Sequence, residues 1–293
     1  VSIGKAYTYL GDYYVSQSIS DSAFQFYYKA ERLYGKIGDN VNLGKTLISK
    51  ANLQYKAGEF LGSEKSVFNV LRVIKGEKGI NNILYDAYNL LGIIYGELGE
   101  YENSMVYNNK AVAISGDETI PLEFQPKATS YNNIGFQYLS LRKYKLAKTY
   151  FQKGLSQDNL LKYKPALYAV LLDNLAYSKF KLGELNNLPE MYFESLKLRD
   201  SLNLSSGIFI NKIHLSEYFA FKKDTIMAIK FSKEALSLAK SMYVERDVLV
   251  ALKQLSIIEP KNASFYNKEY IQINEKLQKE ERSMGEKFSR IEY

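Results

Sequence analysis

His214 is the only histidine in 293 residues, and there is no cysteine. Neither a histidine pair nor thiolates are therefore available to hold a metal. A Ser-His-Asp relay would need His214 as its base, yet no serine stands in a nucleophile-elbow pattern. The glycine-flanked stretch "GEKG", Gly76 to Gly79, is not followed by the Gly-Lys-Ser/Thr of a phosphate loop and reads as a turn between helices. Glu280 and Glu281 adjoin on a highly charged segment and read as solvated. The expectation is no catalytic residue, no metal and no cofactor, with His214 on a helix surface or in a groove.

The elements that would carry such residues follow from composition and then from repetition. Five prolines, no tryptophan and 46% apolar residues describe an ordered, helix-compatible chain. Without cysteine the redox compartment stays open. The net charge is +7, but lysines are spread along the chain among acids, with no block of five or six like charges. A solvated helix surface explains this better than a nucleic-acid site, so no nucleic-acid partner is expected. The chain opens at Val1 with no charged-then-apolar leader and holds no run of about 18 apolar residues. It reads as a soluble piece of a larger protein.

Small residues recur at Gly11, Ala51, Gly92, Gly135, Ala176 and Ser216, in steps of 40, 41, 43, 41 and 40. Twelve beyond each of these anchors stand Ala23, Ser63, Ser104, Ala147, Leu188 and Ala228, and nineteen beyond stand Ala30, Val70, Ala111, Gly154, Ser195 and Ala235. A constant internal spacing inside a variable period means that a rigid two-helix hairpin is repeated and that length changes fall between hairpins. Small residues belong where two helix backbones approach closely. Large residues sit four before the anchor (Tyr7, Leu47, Tyr88, Tyr131, Leu172) and three after it (Tyr14, Tyr95, Tyr138, Phe219), which predicts a buried aromatic stripe on each first helix. The turns "AGEF", "LGEY", "LRKY" and "LGEL" follow the first helices of repeats two to five, with Gly58, Gly99 and Gly183 as left-handed helix ends.

The pattern of an aromatic, Leu-Gly, Tyr, Ala, an aromatic and Ala, as in "YTYLGDYY" with Ala23, Tyr27 and Ala30 and in "YNLLGIIYGELGEYENSMVYNNKA", resembles the tetratricopeptide repeat family over about residues 4 to 240. Repeats two, five and six are more degenerate, with Lys50 and Lys179 at usually apolar positions. The resemblance implies an all-α, right-handed superhelical solenoid of six to seven hairpins. The period is about 40 where the family's usual repeat is 34. The extra residues are expected to lengthen the end of each second helix and the start of the next first helix. Residues 1–259 form the array, and 260–293 a capping and juxtamembrane-type signalling helix, with Ser256 anchoring the capping hairpin and Pro260 shortening its turn.

On the family pattern, side chains one or two after the leading aromatic and one after the anchor face a concave groove. These are Asn89, Asn132, Asn133, Phe136, Asp173, Asn174 and Tyr177, and amides can bond a peptide backbone as donor and acceptor alike. A peptide or protein is the expected partner there. In Tyr270 to Tyr293, heptad-like spacing of Tyr270, Ile273, Leu277, Met284 and Ile291 admits a homodimer through the C-terminal helix. A helix packed back on the last repeat is the other reading. The ending "EKFSRIEY" resembles the segment before the membrane-spanning helix of bacterial repeat-containing sensor histidine kinases, and that of related membrane-bound helix-turn-helix regulators. The resemblance implies a non-enzymatic, periplasmic or otherwise extracytoplasmic sensor region of a two-component system, with a membrane tether just after Tyr293. The alternative is a cytoplasmic scaffold or the ligand-binding region of a transcriptional regulator.

Overall fold

A computed structural model describes the backbone of residues 2–292 and the side chains of residues 2–280 and 283. Among the described residues the secondary structure is helical, with no strand. Two compact units are present, one of Val1–Leu122 with Glu280–Tyr293 and the other of Glu123–Lys279. Of the heptad-like positions, Met284 and Ile291 have side chains outside the described residues.

The first unit holds three hairpins: α1 (Ser2–Ser16) with α2 (Ser20–Ile37), α3 (Asn40–Lys56) with α4 (Phe60–Val73), and α5 (Asn81–Glu97) with α6 (Tyr101–Ile114). The second holds α7 (Pro126–Ser140) with α8 (Tyr144–Leu155), the short α9 (Leu160–Tyr163), α10 (Pro165–Lys181) with α11 (Leu188–Ser201), α12 (Ser205–Phe221) with α13 (Thr225–Ser241), and α14 (Glu245–Ile258) with the part of α15 (Ala263–Glu292) that ends at Lys279. Each unit is a row of consecutive helix hairpins, as the repeat spacing predicts. A single 3₁₀ turn, Pro260–Asn262, joins the last pair, where Pro260 was expected to shorten the turn.

The small positions do what their size dictates. Ala23, Ser63, Ser104, Ala147, Leu188 and Ala228 are all fully buried, as are the anchors Ala51, Ala176 and Ser216. Three of these contacts are also hydrogen-bonded. Ser63 Oγ donates to the Ala51 carbonyl at 2.7 Å, Ser104 Oγ to that of Gly92 at 2.6 Å, and Ser216 Oγ to that of Ala228 at 2.7 Å. A buried hydroxyl needs such a partner, and the close backbone approach supplies one.

The aromatic stripe differs from the expectation in depth. Tyr95 is buried, whereas Tyr14, Tyr88, Tyr131 and Tyr138 are half-buried; Tyr14, Tyr88 and Tyr138 pack against the edges of core clusters, and the stripe also meets aromatics of the second helices. Tyr95 stacks on Tyr107 at 5.6 Å, Tyr14 on Phe26 at 5.4 Å and Phe219 on Phe231 at 5.6 Å. Lysines lie over the outer rings, Lys110 at 4.6 Å from Tyr107 and Lys153 at 4.8 Å from Tyr150. Such contacts are worth about 0.5–1 kcal/mol each at exposed sites.

The extra residues of the long period are distributed differently from the expectation. Between the first and second hairpins only Gly38 and Asp39 intervene, and α2 is indeed long. Between α4 and α5 the extra length is instead a connection, 74–80, with Gly76 and Gly79 at positive φ. Between α6 and α7 it is 115–125, and between α8 and α10 it is 156–164 around α9. Proline sets the last two of these boundaries. Pro126 and Pro165 each open a helix, where a missing N–H is harmless but continuation from the previous helix is blocked.

Candidate functional site

The first helices α10 and α12 of the second unit carry a four-residue stripe at six and two before the anchor and one and five after it, and α14 carries its first three positions. Steps of four, three and four keep these side chains on one helical face. On α10 they are Val170, Asn174, Tyr177 and Lys181; on α12, Ile210, His214, Glu217 and Phe221; on α14, Val250, Gln254 and Ile257. Lateral contacts tie neighbouring stripes together. Tyr177 stacks on His214 with centroids 4.1 Å apart, Tyr177 Oη donates to Glu217 Oε2 at 3.1 Å, and Lys181 Nζ donates to the same oxygen at 2.8 Å. Burial, with the Glu217 charge behind it, pushes the Tyr177 phenol up to about 12. Gln254 Nε2 donates to the Ile213 carbonyl at 3.1 Å.

Beneath this face lies a buried polar cluster. Asp173 is fully buried and accepts from Arg199 Nη1 at 3.0 Å, from Asn211 Nδ2 at 2.8 Å and from His214 Nδ1 at 3.0 Å. Arg199, only 2% exposed, also donates to the Gly207 carbonyl at 2.6 Å. Burial pushes the Asp173 carboxyl up, but the charges and hydrogen bonds of His214 and Arg199 outweigh it and hold the group below the usual carboxylate range. An ionised carboxylate only accepts, so His214 carries its proton on Nδ1.

The residues singled out from the sequence fall in several places. Asn132 and Asn174 meet, with Asn174 Nδ2 donating to Asn132 Oδ1 at 3.1 Å. Asn133 is half-buried, and Phe136 is 51% exposed on the same helix. Tyr177 joins the stripe, whereas Asp173 points into the cluster just described and Asn174 is buried to 8% exposure. Asn89 lies half-buried on α5 of the first unit. His214 is half-buried on the first-helix face, its ring stacked on Tyr177 and its Nδ1 tied to Asp173. Reading only the positions near the anchor missed the apolar row Val170, Ile210 (39% exposed) and Val250 (45% exposed). The signal was present, since extending the i, i+4, i+7 register by one turn in each direction reaches these residues, and Lys181 and Phe221 at the other end.

Residues 85–118 and 128–159 match the tetratricopeptide repeat family. The chain carries tetratricopeptide repeats. No curated protein matches the sequence. Among solved structures, the apo form of RapI aligns with a TM-score of 0.76 at 18% identity, covering 96% of this chain and 99% of that one. The Rap conjugation gene regulator of the plasmid pLS20 in complex with the Phr* peptide gives 0.73 at 17%, over 93% of this chain and 74% of that one. A Rap protein complexed with Competence and Sporulation Factor gives 0.72 at 17%, over 94% and 75%. At such identities the likeness is one of fold. Among the described residues no group of three or more His, Cys, Asp or Glu side chains is placed to hold a metal ion, and no helix is long and apolar enough to cross a membrane.

Proposed function

We propose that this chain is a non-enzymatic binding module that takes an extended peptide, or a peptide-like segment of a protein, across the first-helix face of its second unit. The observation that carries this is the division of that face into rows. Polar side chains at Asn133, Asn174, His214 and Gln254 run between an aliphatic row and a row holding Phe136 and Tyr177. An extended backbone lying along the middle row would place alternate side chains on the two flanking rows. The Rap structures bound to Phr* and to Competence and Sporulation Factor lend support by fold.

A scan of immobilised ten-residue peptides, followed by polarisation titration of those retained, tests the reading. Phe136→Ala and Ile210→Asp, both at exposed positions, are expected to weaken a bound peptide at least tenfold each without changing the circular dichroism spectrum. Retention of no peptide, or affinity unchanged in both variants, would reject it.

The sensor reading carries the same module further, as the extracytoplasmic part of a histidine kinase with a membrane tether after Tyr293 and a homodimer contact through α15. Its support is the resemblance of the segment Tyr270 to Tyr293. The regulator alternative, cytoplasmic and with a DNA-binding output, draws support from the pLS20 neighbour, a gene regulator by name. Fractionation of cells expressing the whole reading frame separates the two, because only the first predicts a membrane pellet resistant to high salt.

A further inference from the structure

Repeat two breaks the apolar pattern at two positions that its neighbours keep. One before the anchor, other repeats have Leu10, Leu91, Ile134, Leu175 and Leu215; three after it, Tyr14, Tyr95, Tyr138 and Phe219 occur. In α3 these positions are Lys50 and Gln54, and both are buried, at 4% and 3% exposure. Burying an ammonium in place of a leucine sacrifices hydration that plain repeat packing has no reason to give up.

Both side chains line a cleft of about 430 Å³ shared by α2, α3 and α4. Lys50 Nζ donates to Glu31 Oε2 at 3.0 Å. Gln54 Nε2 donates to Glu59 Oε2 at 3.1 Å, and its Oε1 accepts from Ser66 Oγ at 2.7 Å. Lys65 and Asn69 line the α4 wall. A Cβ on Gly62 would push the Glu59 carboxylate and the Gln54 amide from their places in the cleft wall.

Two ammonium and two carboxylate groups leave the cleft without net charge. A simple anion would face Glu31 and Glu59, and a simple cation would face Lys50 and Lys65. A molecule bearing both charges a few ångströms apart meets both pairs, and the volume lies within the range of about 300–1,000 Å³ usual for small-ligand sites. We propose that this cleft binds a free α-amino acid, carboxylate towards the two lysines and ammonium towards the two glutamates. The site lies in the first unit and is independent of the peptide face.

Thermal unfolding of the 293-residue chain, measured with each of the twenty amino acids at millimolar concentration, tests the proposal. One or a few are expected to raise Tm by about 3 °C, as ligand in large excess over Kd does. Lys50→Met, which restores an apolar side chain at that position, should abolish the shift while leaving the unliganded Tm equal or higher. Gly62→Ala should weaken it by displacing Glu59 and Gln54, and Asn69→Ala on the half-buried α4 wall serves if Gly62→Ala unfolds. A Tm unmoved by any amino acid, or a shift that survives in Lys50→Met, would overturn the assignment.

Discussion

Asp173 shows how much one carboxylate can hold when burial removes the competition of water. It anchors Arg199, Asn211 and His214 from two neighbouring helices. Asp173→Asn leaves the Arg199 guanidinium buried without its counter-charge and is expected to cost about 3–5 kcal/mol, measured by urea unfolding at pH 7. Because the folded-state pKa of Asp173 is depressed, its contribution is present above the ordinary carboxylate range and is lost as pH falls through and below that range. Asp86 has the opposite sign. Its side chain reaches solvent, yet the protein crowds it enough for desolvation to raise its carboxyl to about 6. The folded state then binds the proton more tightly, so stability from this group falls as pH rises from about 4 to 6. Asp86→Asn should raise Tm at pH 7 and leave it unchanged at pH 4 in thermal melts. The polar character of position 173 was plain in the sequence, but its direction was not. Neighbouring helical residues differ by about 100°, so Asp173 and Asn174 look alike as text while one enters a cluster with Arg199 and the other meets Asn132.

At the scale of the hairpin, the turn is set by one left-handed residue. Gly99 N–H donates to the Gly96 carbonyl at 3.1 Å and Glu100 N–H to that of Tyr95 at 2.8 Å, the paired bonds of a Schellman end. Arg142 at φ 56° and Lys223 at φ 61° make the same bonds without being glycine, at a strain of roughly 1 kcal/mol each. Arg142→Gly and Lys223→Gly are each expected to raise stability by a few tenths to about 1 kcal/mol, with Gly99→Ala lowering it, all by chemical denaturation. Gly135→Ala tests the close approach itself. A Cβ there would lie 2.5 Å from the Phe151 ring, and overpacking of this kind costs typically about 1–3 kcal/mol. These hairpins were legible because small residues, aromatics and glycines recur at fixed offsets. The connections 74–80 and 115–125 were less so, since a period reports how many residues are added and not whether they continue a helix; the 43-residue step ending at Gly135 marked the longest of them.

For the molecule as a whole, the open question of the last helix has a physical handle. Tyr270 and Ile273 pack against a core of Phe209, Leu252, Leu255 and Tyr266, and Lys276 Nζ reaches Glu245 Oε1 at 2.6 Å. This is the behaviour of a cap, which a solenoid needs over its last apolar face. The proposed pairing through the part of α15 beyond the cap predicts that light scattering gives a dimer for residues 1–293 and a monomer for a chain ending at Leu277, with Tm changed little because the capping contacts remain. Equal masses would remove the C-terminal pairing from the proposal. The tetratricopeptide architecture was readable from six spaced positions because each had to be small for geometric reasons. The stripe proposed as a binding face was read only in part, because its outer positions lie a full turn away from the small anchors that made the repeat visible.

The serine contacts at the heart of the hairpins bear on how this chain can change over evolutionary time. The hydroxyl sits on the second helix in Ser63 and Ser104 but on the first in Ser216, each facing a carbonyl of Ala or Gly on the other side. Selection would therefore act on the pair and not on either site. Among descendants of this sequence, a serine lost from one side should tend to be accompanied by one gained on the other, so the two columns would covary while neither looks invariant.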